Sequence, residues 1–312
     1  MSSRPYQGII LAAGAGSRMG SLGAELPKAL LPVCNKPIIA YHLDAMHAAG
    51  LREVLVLVDE RGDVLSQAIG DGSDFGLEIE YVRQPERLGL ARAVGLFEGR
   101  VESPFLLTLG DIFFDTPTLT DLWAGDDAAA AVLAVREEPD AEALQRNFSV
   151  ELDADGAVSR LVEKPKTADI TLKGCGLYLF EDTIFEAIRA TPRSALRNEY
   201  ELTDAIQILV DSGKRVVPAP VIEWDINLTF IEDLLTCNLH ELEKRGLDSL
   251  VGQDSRIGDE VELLQTVVGE RVTLDGPIRL ERCVVQSGVT LKASGEPLRY
   301  SDAVIGTSGV ID

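Results

Sequence analysis

The chain has 312 residues, 46% of them apolar and 5% aromatic, enough for one large α/β domain and a smaller one. Fifty-one acidic residues against 29 basic ones leave a formal charge of −22, which repels nucleic acid and excludes it as a partner class. Anionic substrates would have to be met by local positive charge, and five of the eight lysines (Lys28, Lys36, Lys164, Lys166 and Lys173) fall in the motif segments described below. Cys34, Cys175, Cys237 and Cys283 are far apart with no Cys-x-x-Cys, which argues against a disulfide framework or a zinc site. No stretch approaches the roughly 18 uninterrupted apolar residues of a membrane span, so a soluble, cytoplasmic protein is expected.

Strand patterns alternate with helical ones, which predicts a mostly parallel, doubly wound, Rossmann-like α/β sheet. Strands are expected at 8–11, 53–58, 77–82, 105–109, 130–135, 148–152, 175–180 and 216–218. The first exits into Leu11-Ala12-Ala13-Gly14-Ala15-Gly16-Ser17-Arg18-Met19-Gly20, where small residues let backbone N–H groups approach phosphate oxygens. Arg18 adds a fork of donors, and Lys28, in Pro27-Lys28-Ala29-Leu30-Leu31-Pro32-Val33, adds a point charge. This is no Walker loop, because Gly-Lys-Ser/Thr is missing. Nor is it a dinucleotide fingerprint, because Gly16 and Gly20 are four residues apart rather than three.

After Asn35-Lys36-Pro37 a helix is expected, with Pro37 in its first turn, Ile39, Leu43 and Met46 on its apolar face and Gly50 as its stop. His42 and His47 on it have no partner motif and read as structural or solvated. Another helix starts near Gly89. From about Leu250 a small-residue-flanked apolar pattern recurs, with Val272, Ile278 and Val284 spaced by six, as in a short left-handed β-helix broken by Gly276-Pro277 and Gly295-Glu296-Pro297. The expected division is 1–246 for a catalytic domain and 247–312 for a structural or oligomerisation domain.

The first loop, the Pro-Lys-Ala-Leu-Leu-Pro-Val run and Asn-Lys-Pro-Ile together resemble the sugar-1-phosphate nucleotidyltransferases. The likeness continues through Gln84-Pro85 with Gly89-Leu90-Ala91, Leu109-Gly110-Asp111, Glu163-Lys164-Pro165, Gly174-Cys175-Gly176-Leu177-Tyr178 and Glu199-Tyr200-Glu201-Leu202-Thr203-Asp204. It implies the family's glycosyltransferase-A-like fold and the reaction of an NTP with a sugar 1-phosphate to give an NDP-sugar and pyrophosphate. The attacking group is already an anion, so the chemistry needs positioning and charge neutralisation rather than a nucleophile or base.

By this resemblance, Leu11, Ala13, Gly14, Gly16, Ser17, Gln84 and Gly89 bind the nucleotide, with Gln84 reading uracil or thymine. Arg18, Lys28 and Lys164 serve the phosphates, and Glu163, Gly174 and Glu201 the sugar. Gly174 departs from the asparagine or valine of several relatives. Asp111 is the implied Mg²⁺ ligand. Its partner is Asn227 if the helix at Asp233-Leu234-Leu235 sets the alignment, and Asp225 if Trp224 does. The Gly89-Leu90-Ala91 version points to dTTP or UTP. Two other readings stay open: a cytidylyl- or guanylyltransferase acting on another phosphorylated alcohol, and a non-catalytic nucleotide-sugar-binding regulator. A homo-oligomer is expected from the tail.

Overall fold

The computed structural model describes residues 6–14, 16, 18–123, 128–166, 170–195 and 197–311. The chain forms two compact units, one of Met1–Ala13 with His42–Asp225, the other of Gly14–Tyr41 with Ile226–Asp312. These units cut across a linear division at 246/247, because the segment after the first strand associates with the C-terminal part of the chain.

The first unit is built on nine strands: β1 Gln7–Leu11, β2 Glu53–Val58, β3 Glu78–Arg83, β4 Phe105–Leu109, β5 Ala131–Glu137, β6 Phe148–Leu152, β7 Val158–Glu163, β8 Leu172–Phe180 and β9 Val216–Ala219. Their order is β7-β6-β8-β4-β1-β2-β3, with β5 also on β8 and β9 on β5. The block β4-β1-β2-β3 is parallel. In it β2 is the continuous apolar run Val54 to Val58, buried on both faces as a central parallel strand must be. β8 runs antiparallel to β4, β5 and β6. It begins at Leu172, three residues before the run expected from the sequence, because the charged Lys173 lies inside the sheet.

Helix α1 (Ile38–Ala48) covers one face of the sheet. Its Met46 sulfur would lie 2.8 Å from a Cβ at Gly8, so only a glycine lets the helix approach β1 so closely. On the other face Phe185 stacks on Phe105, which meets Phe180 at a tilt. They join the buried side chains of α2 (Leu90–Gly95), α3 (Thr183–Ala190) and α4 (Leu202–Asp211) in one core.

In the second unit the strands after residue 250 pair in parallel with partners 17 residues on. Leu250 pairs with Val267 and Val267 with Val284, Arg256 with Thr273 and Thr273 with Thr290, and Val261 with Ile278. The corners repeat at the same spacing in the left-handed region: Asp254, Arg271 and Gly288 form one column, Gln265 and Arg282 another. The next step is 20 residues, Ile278 to Leu298 and Val284 to Val304. Gly295-Glu296-Pro297, which interrupts the pattern in the sequence, lies within that longer step. Val272, Ile278 and Val284, the six-residue repeat, all point inward.

Helix α5 (Ile231–Lys244) is tied to the segment 14–41 by a buried side chain. Asn238 is wholly buried; its Oδ1 accepts from Cys34 N at 2.8 Å, and its Nδ2 donates to Pro32 O at 3.1 Å and to Leu234 O at 2.9 Å. Cys34 and Asn35 form the tip of a two-residue hairpin with φ of 46° and 63°, and Asn35 Nδ2 donates to Val268 O at 2.9 Å. Replacing Asn238 with Ala orphans a buried donor and a buried acceptor. A loss of about 2–3 kcal/mol is expected in urea unfolding, whereas a loss under about 0.5 kcal/mol would show that the hairpin is held by other contacts.

Candidate active site

In a parallel sheet the carboxyl ends of neighbouring strands share one edge, and ligands of open α/β sheets bind there. β1 and β4 end in register, Leu11 beside Leu109. Beyond them Gly110 N donates to Leu11 O at 2.9 Å, and a Cβ at Gly110 would lie 3.0 Å from that same oxygen. The glycine thus lets Asp111 emerge directly beside Leu11, Ala12 and Ala13. Ala12 N is held by Leu57 O at 2.8 Å, and Gln84 N, after β3, by Val58 O at 2.8 Å. Leu11, Ala13, Gln84 and Asp111 are therefore brought to one edge.

The buried carboxylate of Asp59, at the end of β2, accepts from Arg61 N at 2.8 Å and from the Arg87 guanidinium at 2.8 Å. It anchors the loop that follows Gln84. That loop ends at Gly89, whose φ of 111° and 2.5 Å approach of a would-be Cβ to Tyr200 O both require glycine. Tyr200 pairs with it through Tyr200 N to Leu88 O at 2.8 Å and Ala91 N to Tyr200 O at 2.9 Å. This joins two motifs that lie more than a hundred residues apart in sequence.

Glu163, at the end of β7, and Glu201, before α4, meet at Arg197, which lies 3.9 Å from one and 3.7 Å from the other and 3.0 Å from Glu199. Thr203 Oγ1 donates to Glu163 at 3.4 Å and Ser194 Oγ to Glu201 at 3.3 Å. Glu163 also stands opposite Phe148, whose ring stacks on Tyr178. Burial, followed by the neighbouring Glu201 charge, pushes the Glu163 carboxyl up to about 7. Lys164 follows with φ of 48°, its N held by Asn147 O at 2.8 Å. Gly174 is buried, and a Cβ there would overlap the Phe148 ring, so it has no side chain to offer a ligand.

In the second unit, Gly16 is buried with φ of 70°, and a Cβ on it would sit 3.5 Å from Lys28 Cγ. The loop glycine and the downstream lysine are thus neighbours. Arg18 is exposed, its guanidinium 5.8 Å from the Phe230 ring centre. Gly14 is exposed at the start of the same segment, and Asn227 closes the strand Trp224–Asn227. Ser17 lies outside the described residues.

Two features departed from the sequence reading or escaped it, whereas His42 is structural as expected. Lys173 gives no positive charge to a ligand: it is buried and paired with Asp225 at 2.7 Å and Glu138 at 3.4 Å. Arg136 binds the same two carboxylates. Arg197 was missed, although its place between Ser194 and the acidic pair Glu199 and Glu201 was a signal. His42 is buried against Phe114, and burial lowers its pKa to about 4, which keeps it neutral. Among the described residues no group of three or more His, Cys, Asp or Glu side chains could hold a metal ion, and no helix is long and apolar enough to cross a membrane.

A parallel sheet edge that gathers Leu11, Ala13, Gln84 and Asp111, in a unit that also holds the acidic pair Glu163 and Glu201, has the layout of an α/β enzyme. The chain belongs to the nucleotidyl transferase family, which it matches over residues 7–225. It is 32% identical over 267 residues to a low-salt glycan biosynthesis nucleotidyltransferase of Haloferax volcanii, covering 83% of this chain and 73% of that one. It is 35% identical to a glucose-1-phosphate thymidylyltransferase of Streptomyces griseus, covering 75% of this chain but 66% of that one, so it spans about two thirds of that enzyme's length. It is 31% identical to a UTP–glucose-1-phosphate uridylyltransferase of Haloferax volcanii, covering 73% and 93%. The crystal structure of a UDP-glucose pyrophosphorylase complexed with UDP-glucose shares the fold, with a TM-score of 0.67, 22% identity, and coverage of 77% of this chain and 99% of that one.

The raised Glu163 pKa has a defined sign in stability. Between the ordinary value of 4.5 and about 7 the folded protein holds a proton that the unfolded chain releases. Stability from this group therefore falls as pH rises through that window and is level above it. Glu163→Gln should gain in urea midpoint relative to wild type on going from about pH 5 to about pH 8. Equal offsets at both pH values would show that Glu163 titrates as an exposed glutamate.

Proposed function

We propose that this enzyme transfers a nucleotidyl group from an NTP, dTTP or UTP first, to a sugar 1-phosphate, releasing pyrophosphate and an NDP-sugar. The observation that carries the reading is the meeting of Glu163, Glu201 and Arg197 in the unit whose sheet edge also presents Leu11, Ala13, Gln84 and Asp111. Glucose 1-phosphate is the first sugar to test, because relatives bear that substrate in their names.

In this reading Gln84 pairs with the pyrimidine edge, with main-chain groups of Leu11, Ala13 and Gly89 beside the nucleoside. The N–H groups around Gly14, Gly16 and Ser17 take phosphate oxygens, Arg18 holds the leaving pyrophosphate, and Lys28 neutralises charge near the α-phosphate. Glu163 and Glu201 accept from sugar hydroxyls, while Lys164 steers the sugar phosphate and Gly174 offers only its main chain. The sugar phosphate oxygen attacks the α-phosphorus in line, so the protein's work is to align two polyanions.

Asp111 suits Mg²⁺, a hard cation that takes one or two protein oxygens and keeps several waters. The close backbone packing of Gly110 leaves its carboxylate as the group at the strand end. Asn227 is the proposed second ligand. Asp225, the other candidate, already binds two cations through one oxygen. Bound Mg²⁺ supplies charge neutralisation on the phosphates.

The stacked ladders of residues 250–306 are read as a short left-handed β-helix, a structural or oligomer-forming domain after a catalytic domain of 1–246. The enzyme is read as a homo-oligomer working in the cytoplasm, where NTPs are found. The remaining alternatives, a cytidylyl- or guanylyltransferase and a non-catalytic regulator, are arms of the same assay.

Pyrophosphate release with Mg²⁺ should be seen for dTTP or UTP with glucose 1-phosphate, and Asp111→Asn should lower it by about a hundredfold or more with the fold retained. Undiminished turnover in Asp111→Asn would remove Asp111 from the metal site. No release with any NTP and hexose 1-phosphate, while NTP still binds, would move the reading to another phosphorylated acceptor.

A further inference from the structure

A lysine inside a sheet is rare unless its charge is matched, and Lys173 is among the largest fully buried side chains of this chain. It lies on β8 directly across from Arg136 on β5. Two like charges in direct cross-strand register destabilise a sheet, so the pair persists only because two carboxylates separate it. Asp225 Oδ1 accepts from both cations, Lys173 Nζ at 2.7 Å and Arg136 Nε. Glu138 Oε2 also accepts from both, from Lys173 at 3.4 Å and from the Arg136 guanidinium. The result is a closed, neutral ring of alternating charges. Glu138 and Arg136 are local to each other. Asp225, by contrast, is brought in from more than fifty residues beyond Lys173.

A ring of this kind is a poor source of net stability, since well-packed apolar side chains of the same volume often do as well or better. What it adds is placement. Three contacts in a row hold the chain where it enters the strand Trp224–Asn227: Glu223 N donates to Asp115 O at 3.0 Å, the Trp224 ring meets Phe113 edge-on at 6.2 Å, and Asp225 is locked in the ring. In an extended strand residues two apart face the same side, so fixing the carboxylate of Asp225 fixes the direction in which Asn227 leaves the backbone.

We propose that Lys173 and Arg136 are positioning residues of the transfer reaction: they hold Asp225 as a buried counter-ion, and through it they set the strand that presents Asn227, while Asp225 itself does not ligate the metal. The proposal rests on the reading of Asp111 and Asn227 given above. A divalent ion bonds its carboxylate ligands at about 2.0–2.1 Å. Asp225 Oδ2 is buried with no hydrogen-bond partner, but a cation there would stand within a few ångströms of an ammonium and a guanidinium that the two carboxylates already neutralise.

The test compares Lys173→Met, Lys173→Arg, Asp225→Asn and the double variant Lys173→Met/Asp225→Asn with wild type and Asp111→Asn. It measures kcat and KM for the preferred NTP and sugar 1-phosphate, melting temperature, and binding of Mn²⁺ to the resting protein by electron paramagnetic resonance. Lys173→Met should lower kcat tenfold or more with KM changed less than threefold, and Lys173→Arg should restore most of the loss. If single variants fail to fold, the double variant decides, because it leaves no unmatched buried charge. It should melt near wild type yet keep the kcat loss; a folded double variant with wild-type kcat overturns the positioning role. Mn²⁺ binding should weaken to the same extent in Lys173→Met and in Asp225→Asn, since both release the strand that presents Asn227, and fall tenfold or more in Asp111→Asn. A loss in Asp225→Asn tenfold or more beyond that in Lys173→Met would make Asp225 a ligand and overturn the proposal. Failure of the nucleotidyl-transfer reading would show separately, as absent pyrophosphate release in wild type.

Discussion

A chain of net charge −22 that handles polyanions depends on where each positive charge is held. Most of the arginines described around the candidate site are fixed by carboxylates: Arg87 and Arg61 by Asp59, Arg197 by three glutamates, Arg136 by Asp225 and Glu138. A guanidinium held in this way loses little further freedom when a ligand arrives, which favours tight geometry over long reach. Arg18 differs, lying exposed near the Phe230 ring. The excess acid is thus in part the scaffold that aims the few cations.

The strands were legible where an apolar run was bounded by turn residues; 53–58, 105–109 and 148–152 coincide with the observed elements. β8 was read short because its first residues include Lys173, and a charge in a strand looks like its end until the partner from Asp225 is known. That information lies in tertiary structure, far along the chain. The repeat after residue 250 was visible as a six-residue spacing of inward side chains, but the stacking distance of 17 residues, with its columns of left-handed corners, depends on which turns lie above one another. The grouping of 14–41 with the C-terminal part was hidden for the same reason, since it runs through contacts between distant residues, Asn238 with Cys34 and Pro32, Asn35 with Val268 and Arg245 with Tyr41.

Of the candidate site, the individual motifs could be read but their joins could not. Gly89 looked like a helix start, and its need for glycine comes from the Tyr200 backbone. Glu163 and Glu201 were chosen separately; Arg197, which unites them, belongs to neither motif. Asn227 and Asp225 followed from different anchors, the helix at Asp233 and Trp224, and the pairing of Asp225 with Lys173 and Arg136 was not visible from either.

Position 174 shows how packing constrains recognition. A side chain there would have to displace the Phe148 ring, which stacks on Tyr178, which in turn stacks on Phe180 in the core. Glu163 stands opposite that same Phe148 and owes its raised pKa first to burial. Glycine at 174 is therefore required by an aromatic floor that reaches up to the sheet edge. The floor leaves no room for a new side chain at 174 without repacking the core beneath it.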